Sequence, residues 1–273
     1  MILRPDSAPS LPGSAAVLPA WKAVAIMQDL PARRYGLVRQ PDHARLSGEL
    51  AKHLIQTAAG PVDDEIVCGI ALHDEGWAAF DEGREHLAAT PARYVENGVA
   101  VTDAGKPVSF LEIKPPDFLR AWRESIEAAV AVGPLAGLIV SGHFCRLGRL
   151  GLDNQQYVPD DQSRVREFLA GEEIRACRLM KLQSRTPDEV HYWTDVLQFC
   201  DLLSLYLCCG SAETVEFPQR IGPEAQEIRL AADADAFVLS PSPFQKEIEL
   251  SVPVHRFPDS NGASENYLVW HLR

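Results

Sequence analysis

Apolar positions along the chain follow two periods. From His43 onward Leu46, Leu50 and Leu54 recur three and four residues apart, the spacing of one helical face. Asp42 is placed as the cap of that helix, and Gly60-Pro61 ends it. Asp63-Asp64-Glu65 opens the next helix with acids at the positive end of its dipole, and Ile66, Ile70 and His73 carry its apolar face toward Phe80. Further helices are predicted over Asp117–Val132, Leu135–Leu150, Pro159–Ser184 and Pro187–Gly210, separated by Gly133-Pro134, Gly151 and Pro187. Strands are predicted at Lys22–Met27 and Tyr35–Arg39. After Gly210 five more follow, at Thr214–Phe217, Glu227–Ala231, Ala236–Leu239, Lys246–Val252 and Tyr267–Leu272. Residues 1–20 hold four prolines and few large apolar groups, so a flexible tail is expected there. Residues 81–115 are rich in glycine and proline and lack a period. A segment of that kind is expected to border the functional site and contact substrate.

The expected fold class is therefore mainly α. A helical bundle occupies 21–212, and residues 213–273 add a small antiparallel sheet packed on the same domain. The strands at 21–40 are candidate additions to that sheet.

Composition narrows the function. A chain of 273 residues, 46% hydrophobic, buries enough surface to fold without disulfides or a structural metal. The net charge of −12 disfavours a nucleic-acid binder, which needs a basic face, and leaves small substrates and cations open. Cys68, Cys145, Cys177, Cys200, Cys208 and Cys209 form no CxxC pair. Free thiols and a cytoplasmic location are expected. The first residues lack the charged start and apolar core of a signal peptide, and no apolar run suits a membrane span. There is no GxSxG, Walker or GxGxxG motif, so serine triads and glycine-rich phosphate loops have no support.

Five ionisable residues fall where the core should be: His43, His73, Asp74, His143 and Asp201. His43 shares a face with Leu46 and Leu50, and His73 with Ile66, Ile70 and Trp77. His143 shares one with Ala136, Ile139, Leu147 and Leu150, and Asp201 with Leu197 and Leu205. A lone core histidine is usually just a hydrogen-bonded residue. Carboxylates turned inward from several helices are different, because an unpaired buried charge costs several kcal/mol. A shared metal ion satisfies all of them at once. Glu75, next to the His-Asp pair, is a candidate general acid or base; the alternative is a solvated helix-end acid.

The order His43, His73-Asp74, Asp201 resembles the H…HD…D signature of the HD-domain superfamily of metal-dependent phosphohydrolases, over roughly residues 40–210. The stretches Gln40-Pro41-Asp42-His43-Ala44 and His73-Asp74-Glu75-Gly76-Trp77 also resemble an uncharacterised bacterial family within that superfamily. The resemblance implies an HD-type bundle with His43, His73, Asp74 and Asp201 as direct ligands of one or two divalent ions, Mn, Fe, Co, Ni or Zn. It implies His143 as a catalytic group, either a second-ion ligand or a cation beside the leaving phosphate. The implied substrate is a small, anionic phosphate ester or nucleotide-like molecule. Many HD enzymes read HD-x-G-K, whereas Trp77 stands at the lysine position here and suits stacking better than phosphate binding. Two other readings stay open: a catalytically silent metal-binding sensory module, and an HD-fold di-iron oxygenase, which would need His86 and His143 as added ligands.

Overall fold

The computed structural model describes residues 1–6, 17–55, 60–95, 98–221, 226–233, 236–258 and 266–273. Strands β1 (Ile2–Pro5) and β2 (Leu18–Pro19) precede helix α1 (Ala20–Asp29), strand β3 (Tyr35–Val38) and helices α2 (Gln40–Lys52), α3 (Asp64–Ala71) and α4 (Ala78–Asp81). Two-residue strands β4 (Arg93–Tyr94) and β5 (Ala100–Val101) lead to α5 (Pro115–Val132), α6 (Pro134–Asp153), α7 (Pro159–Leu179) and α8 (Pro187–Cys209). The chain closes with β6 (Val215–Phe217), β7 (Ile228–Asp233), β8 (Ala236–Ser240), β9 (Ile248–Phe257) and β10 (Asn266–Leu272).

The long helices follow the predicted pattern because their ends are strongly marked. Thr186 and Glu189 cap α8 reciprocally, Pro187 starts it, and Gly210 ends it in the left-handed conformation at φ 74°. This helix is apolar nearly all round, from Val190 to Cys209, and so becomes the central element packed by α1, α2 and α6.

The expectation of a mainly α, HD-type bundle with a small antiparallel sheet is overturned. The sheet has eight strands in the order β1-β3-β9-β10-β8-β7-β6-β2 and is mixed, with β10–β8 and β2–β6 parallel. The reason lies in β9. Its ten residues are long enough to pair with β10 along most of their length and with β3 at the far end, which joins the N-terminal strands to the C-terminal ones. Local patterning reveals a strand's existence but not such distant partners.

Three local expectations change as well. Lys22–Met27 lies within α1, where Ala20, Ala23, Val24, Met27 and Gln28 are buried at helical spacing. Within the expected tail, Ile2 and Leu3 are fully buried in β1, and the Gln28 side chain bonds both the Leu3 N–H and its carbonyl at 2.9 and 2.8 Å; residues 7–16 of it lie outside the described residues. The 81–115 segment folds against β1, β3 and α5. Val99 and Val101 pack with Leu3, Tyr35 and Leu37, and Asp117 accepts the N–H groups of Ala88, Ala89 and Thr90. Among the described residues, no hydrogen bond or ion pair joins this segment to His43, His73, Asp74, His143 or Asp201. Its expected role in contacting substrate thus finds no support in these contacts.

Close helix crossings bring the site together. A Cβ on Gly48 of α2 would lie 2.6 Å from the Ala71 side chain of α3, and one on Gly69 of α3 would lie 3.0 Å from Ala136 of α6. Small residues at both crossings let three helices meet at backbone distance. Gly76 is tighter still: a Cβ there would sit 2.0 Å from the Ala121 carbonyl of α5. Because that obstacle is backbone and cannot swing aside, Gly76→Ala is expected to destabilise the protein by about 3 kcal/mol. Denaturant unfolding checks this; unchanged stability would contradict the packing described.

Candidate metal centre

His43 stands in the first turn of α2, where Pro41 and Asp42 suit a helix start. His73 and Asp74 lie in a turn rather than on the continuous helix expected. The α3 helix ends at Ala71, Leu72 caps it, and a 3-10 turn over Glu75–Trp77 follows. This break carries the pair away from the α3 axis and toward α2. His143 lies mid-way along α6, and Asp201 mid-way along α8.

The structure brings these five residues together. His43 Nε2 is 2.8 Å from Asp74 Oδ2, and His73 Nε2 is 3.8 Å from the same oxygen and 3.3 Å from Asp201 Oδ1. His143 Nε2 is 3.9 Å from Asp201 Oδ2. The His43 and His73 rings meet edge-on with centroids 5.1 Å apart, and the His73 and His143 rings at 5.5 Å. All three imidazoles are buried, while the Asp201 side chain keeps 14% exposure and marks the side open to solvent.

Two overlapping donor groups result, each with its atoms within 4.8 Å of one another: His43, His73 and Asp74, and His73, His143 and Asp201. His73 belongs to both. Its Nδ1–H donates to the Ile70 carbonyl at 2.7 Å, which leaves Nε2 as its one free donor. That Nε2 and His143 Nδ1 are buried with no hydrogen-bond partner among the described residues. Buried polar atoms are nearly always satisfied, so an unbonded His73 Nε2 between two carboxylates fits a cation.

The electrostatics agree. Burial disfavours a charged His73, but the Asp74 and Asp201 carboxylates outweigh it and lift its pKa from 6.5 to about 9. Burial pushes His143 down to about 4, so it is neutral near neutral pH. Burial would raise Asp201, yet His73 holds it at about 2. Because His73 is raised, its contribution to the metal-free fold is present below 6.5 and fades as pH rises through about 9. A metal needs the neutral ring, so binding to the folded protein is expected to release a proton at pH below about 9 and none well above it. Calorimetry in two buffers of different ionisation enthalpy measures it; binding without proton release would contradict this placement of His73.

Glu75 stands apart from the cluster. It is partly exposed, and its carboxylate lies 3.5 Å from Arg45, which also bonds Asp42. Trp77 is buried and packs toward Phe80, so it forms no wall for a ligand. His86 stacks on Tyr94 with centroids 3.8 Å apart and belongs to neither donor group.

Sequence reasoning passed over Ser47 and Ser204. Both are fully buried. Ser204 Oγ lies 3.0 Å from His43 Nδ1, Ser47 donates to Ser204 Oγ at 2.8 Å, and Ser204 donates to the Asp201 carbonyl at 2.8 Å. The signal was present: Ser47 follows His43 by one helical turn and Ser204 follows Asp201 by three residues, each on the inward face.

Among the described residues, all six cysteines are free and no helix is long and apolar enough to cross a membrane. No curated protein and no solved structure matches the chain significantly. One family profile, described as "Protein of unknown function (DUF3891)", matches residues 26–259. With most of its length covered, and with the cluster of histidines and aspartates inside that span, the chain belongs to the DUF3891 family.

Proposed function

We propose that the chain is a metal-dependent hydrolase with the HD superfamily's ligand signature, acting on a small phosphate ester or nucleotide-like molecule in the cytoplasm. The observation that carries the reading is the convergence of three buried imidazoles and two carboxylates, with His73 Nε2 left without a hydrogen-bond partner among the described residues. His43, His73, Asp74 and Asp201 would hold a divalent transition ion. When bound there, such an ion would supply Lewis-acid chemistry, lowering the pKa of water and polarising a phosphoryl oxygen.

The chain's own residues do the rest. Asp74 and Asp201 bring negative charge to balance the cation. His143, buried and neutral, is the group placed to move a proton at the inner side of the cluster. Glu75, next in sequence to Asp74 and partly exposed beside Arg45, is the second proton-transfer candidate, nearer to solvent. The oxygenase reading loses support because His86 stacks on Tyr94 instead of joining the donor groups. Hydrolysis is tested by loading metal-free protein separately with Mn, Fe, Co, Ni and Zn and assaying phosphate release from a panel of monoesters, diesters and nucleotides. Metal-dependent turnover supports the reading. A fully loaded protein inactive on the whole panel would overturn it in favour of a binding module.

A further inference from the structure

We propose that Ser204, backed by Ser47, is a positioning residue that fixes the tautomer of His43 and so presents its Nε2 lone pair to the cation. The inference rests on the metal-centre reading and adds to it a determinant of affinity on α8, outside the ligand set.

The argument is an accounting of hydrogens. A metal-ligating histidine offers one nitrogen to the ion, and its tautomer is set by what the other nitrogen donates to. For His73 that partner is the Ile70 carbonyl, which can only accept. His43 has no such carbonyl. Its Nδ1 faces Ser204 Oγ at 3.0 Å, with Asp201 Oδ1 farther away at 3.9 Å. A hydroxyl can donate or accept, so alone it would leave the tautomer open. Here the Ser204 hydrogen is engaged by the Asp201 carbonyl at 2.8 Å, while the Ser47 hydroxyl lies 2.8 Å from Ser204 Oγ, 3.0 Å from the His43 carbonyl and 3.3 Å from the Cys200 carbonyl. Because the Asp201 carbonyl can only accept, it takes the Ser204 hydrogen and leaves Ser204 Oγ facing His43 as an acceptor. His43 Nδ1 then carries the proton, and Nε2 turns its lone pair toward Asp74 Oδ2, 2.8 Å away.

Zn²⁺ serves as the probe because it is diamagnetic and redox-silent. Long-range ¹H–¹⁵N NMR on the zinc-loaded wild type is expected to show His43 protonated at Nδ1. In Ser204→Ala the zinc affinity, read by competition with a chromophoric chelator, is expected to fall about 10–100-fold. Ser204→Thr, which keeps the hydroxyl, is expected to restore most of it. Ser47→Ala is expected to give a smaller loss of the same sign. A His43 protonated at Nε2 in the loaded wild type would overturn the proposal, whatever the variants do. Unchanged affinity in a folded Ser204→Ala, with the wild type binding zinc, would overturn it while leaving the metal centre standing. A wild type that binds no zinc or other divalent transition ion would overturn both.

Discussion

Replacing His73 by alanine is expected to abolish tight metal binding and all metal-dependent turnover. His73 is the one residue shared by both donor groups, and its single free nitrogen lies 3.3 Å from Asp201 and 3.8 Å from Asp74. Without it, neither group retains three ligands. The variant also leaves two carboxylates with less compensation in a buried cluster, which is expected to destabilise the metal-free fold by about 3 kcal/mol. A second readout separates the two effects. At a metal concentration about a thousandfold above its dissociation constant, the wild type gains about 4 kcal/mol of stability by mass action, and His73→Ala gains none. Thermal melts with and without metal measure both quantities. A His73→Ala protein that still melts higher with metal would contradict the shared role assigned to His73.

His143→Ala is expected to behave in the opposite way. His143 appears only in the second donor group, with His73 and Asp201, so the group formed by His43, His73 and Asp74 survives its removal. Metal content is expected to stay near that of the wild type while turnover falls about 10²-fold, the scale for losing an acid or base in the transition state. Metal content and steady-state rates, measured on one preparation, decide the matter. Loss of metal equal to that of His73→Ala would make His143 a ligand of the same rank. Full activity would leave it as a core histidine without a catalytic part.

Much of the site could be read from the sequence because buried charge is conspicuous. His43, His73, His143 and Asp201 each interrupt an apolar helical face, and each ends in one cluster. The feature that positions the His-Asp pair was less legible. The periodicity runs on from Ile70 to Trp77 as though the helix continued, yet the backbone leaves the helix at Leu72 and Gly76 packs against the α5 backbone. Such contact between distant segments leaves no mark on local spacing. The same limit explains the sheet. Nearly every strand after Gly210 was predicted near its observed place, but pairing between β3 and β9 joins residues more than two hundred positions apart. The strand predicted at Lys22–Met27 failed for a different reason. Its apolar residues are dense enough to fit either period, and the buried Gln28, which seals β1 through two backbone bonds, identifies the helical one only in three dimensions. Ser47 and Ser204 were overlooked because a buried serine looks like filler until the ring it faces is known.

The central claim is that His43, His73, Asp74 and Asp201 hold a divalent transition metal. Elemental analysis of protein purified without added chelator tests it most directly, when run beside Asp74→Ala and after titration of metal-free protein with Mn, Fe and Zn. The wild type is expected to carry or take up about one ion per chain at high affinity, and Asp74→Ala none. A wild type that arrives without metal and binds none of the three ions would contradict the account.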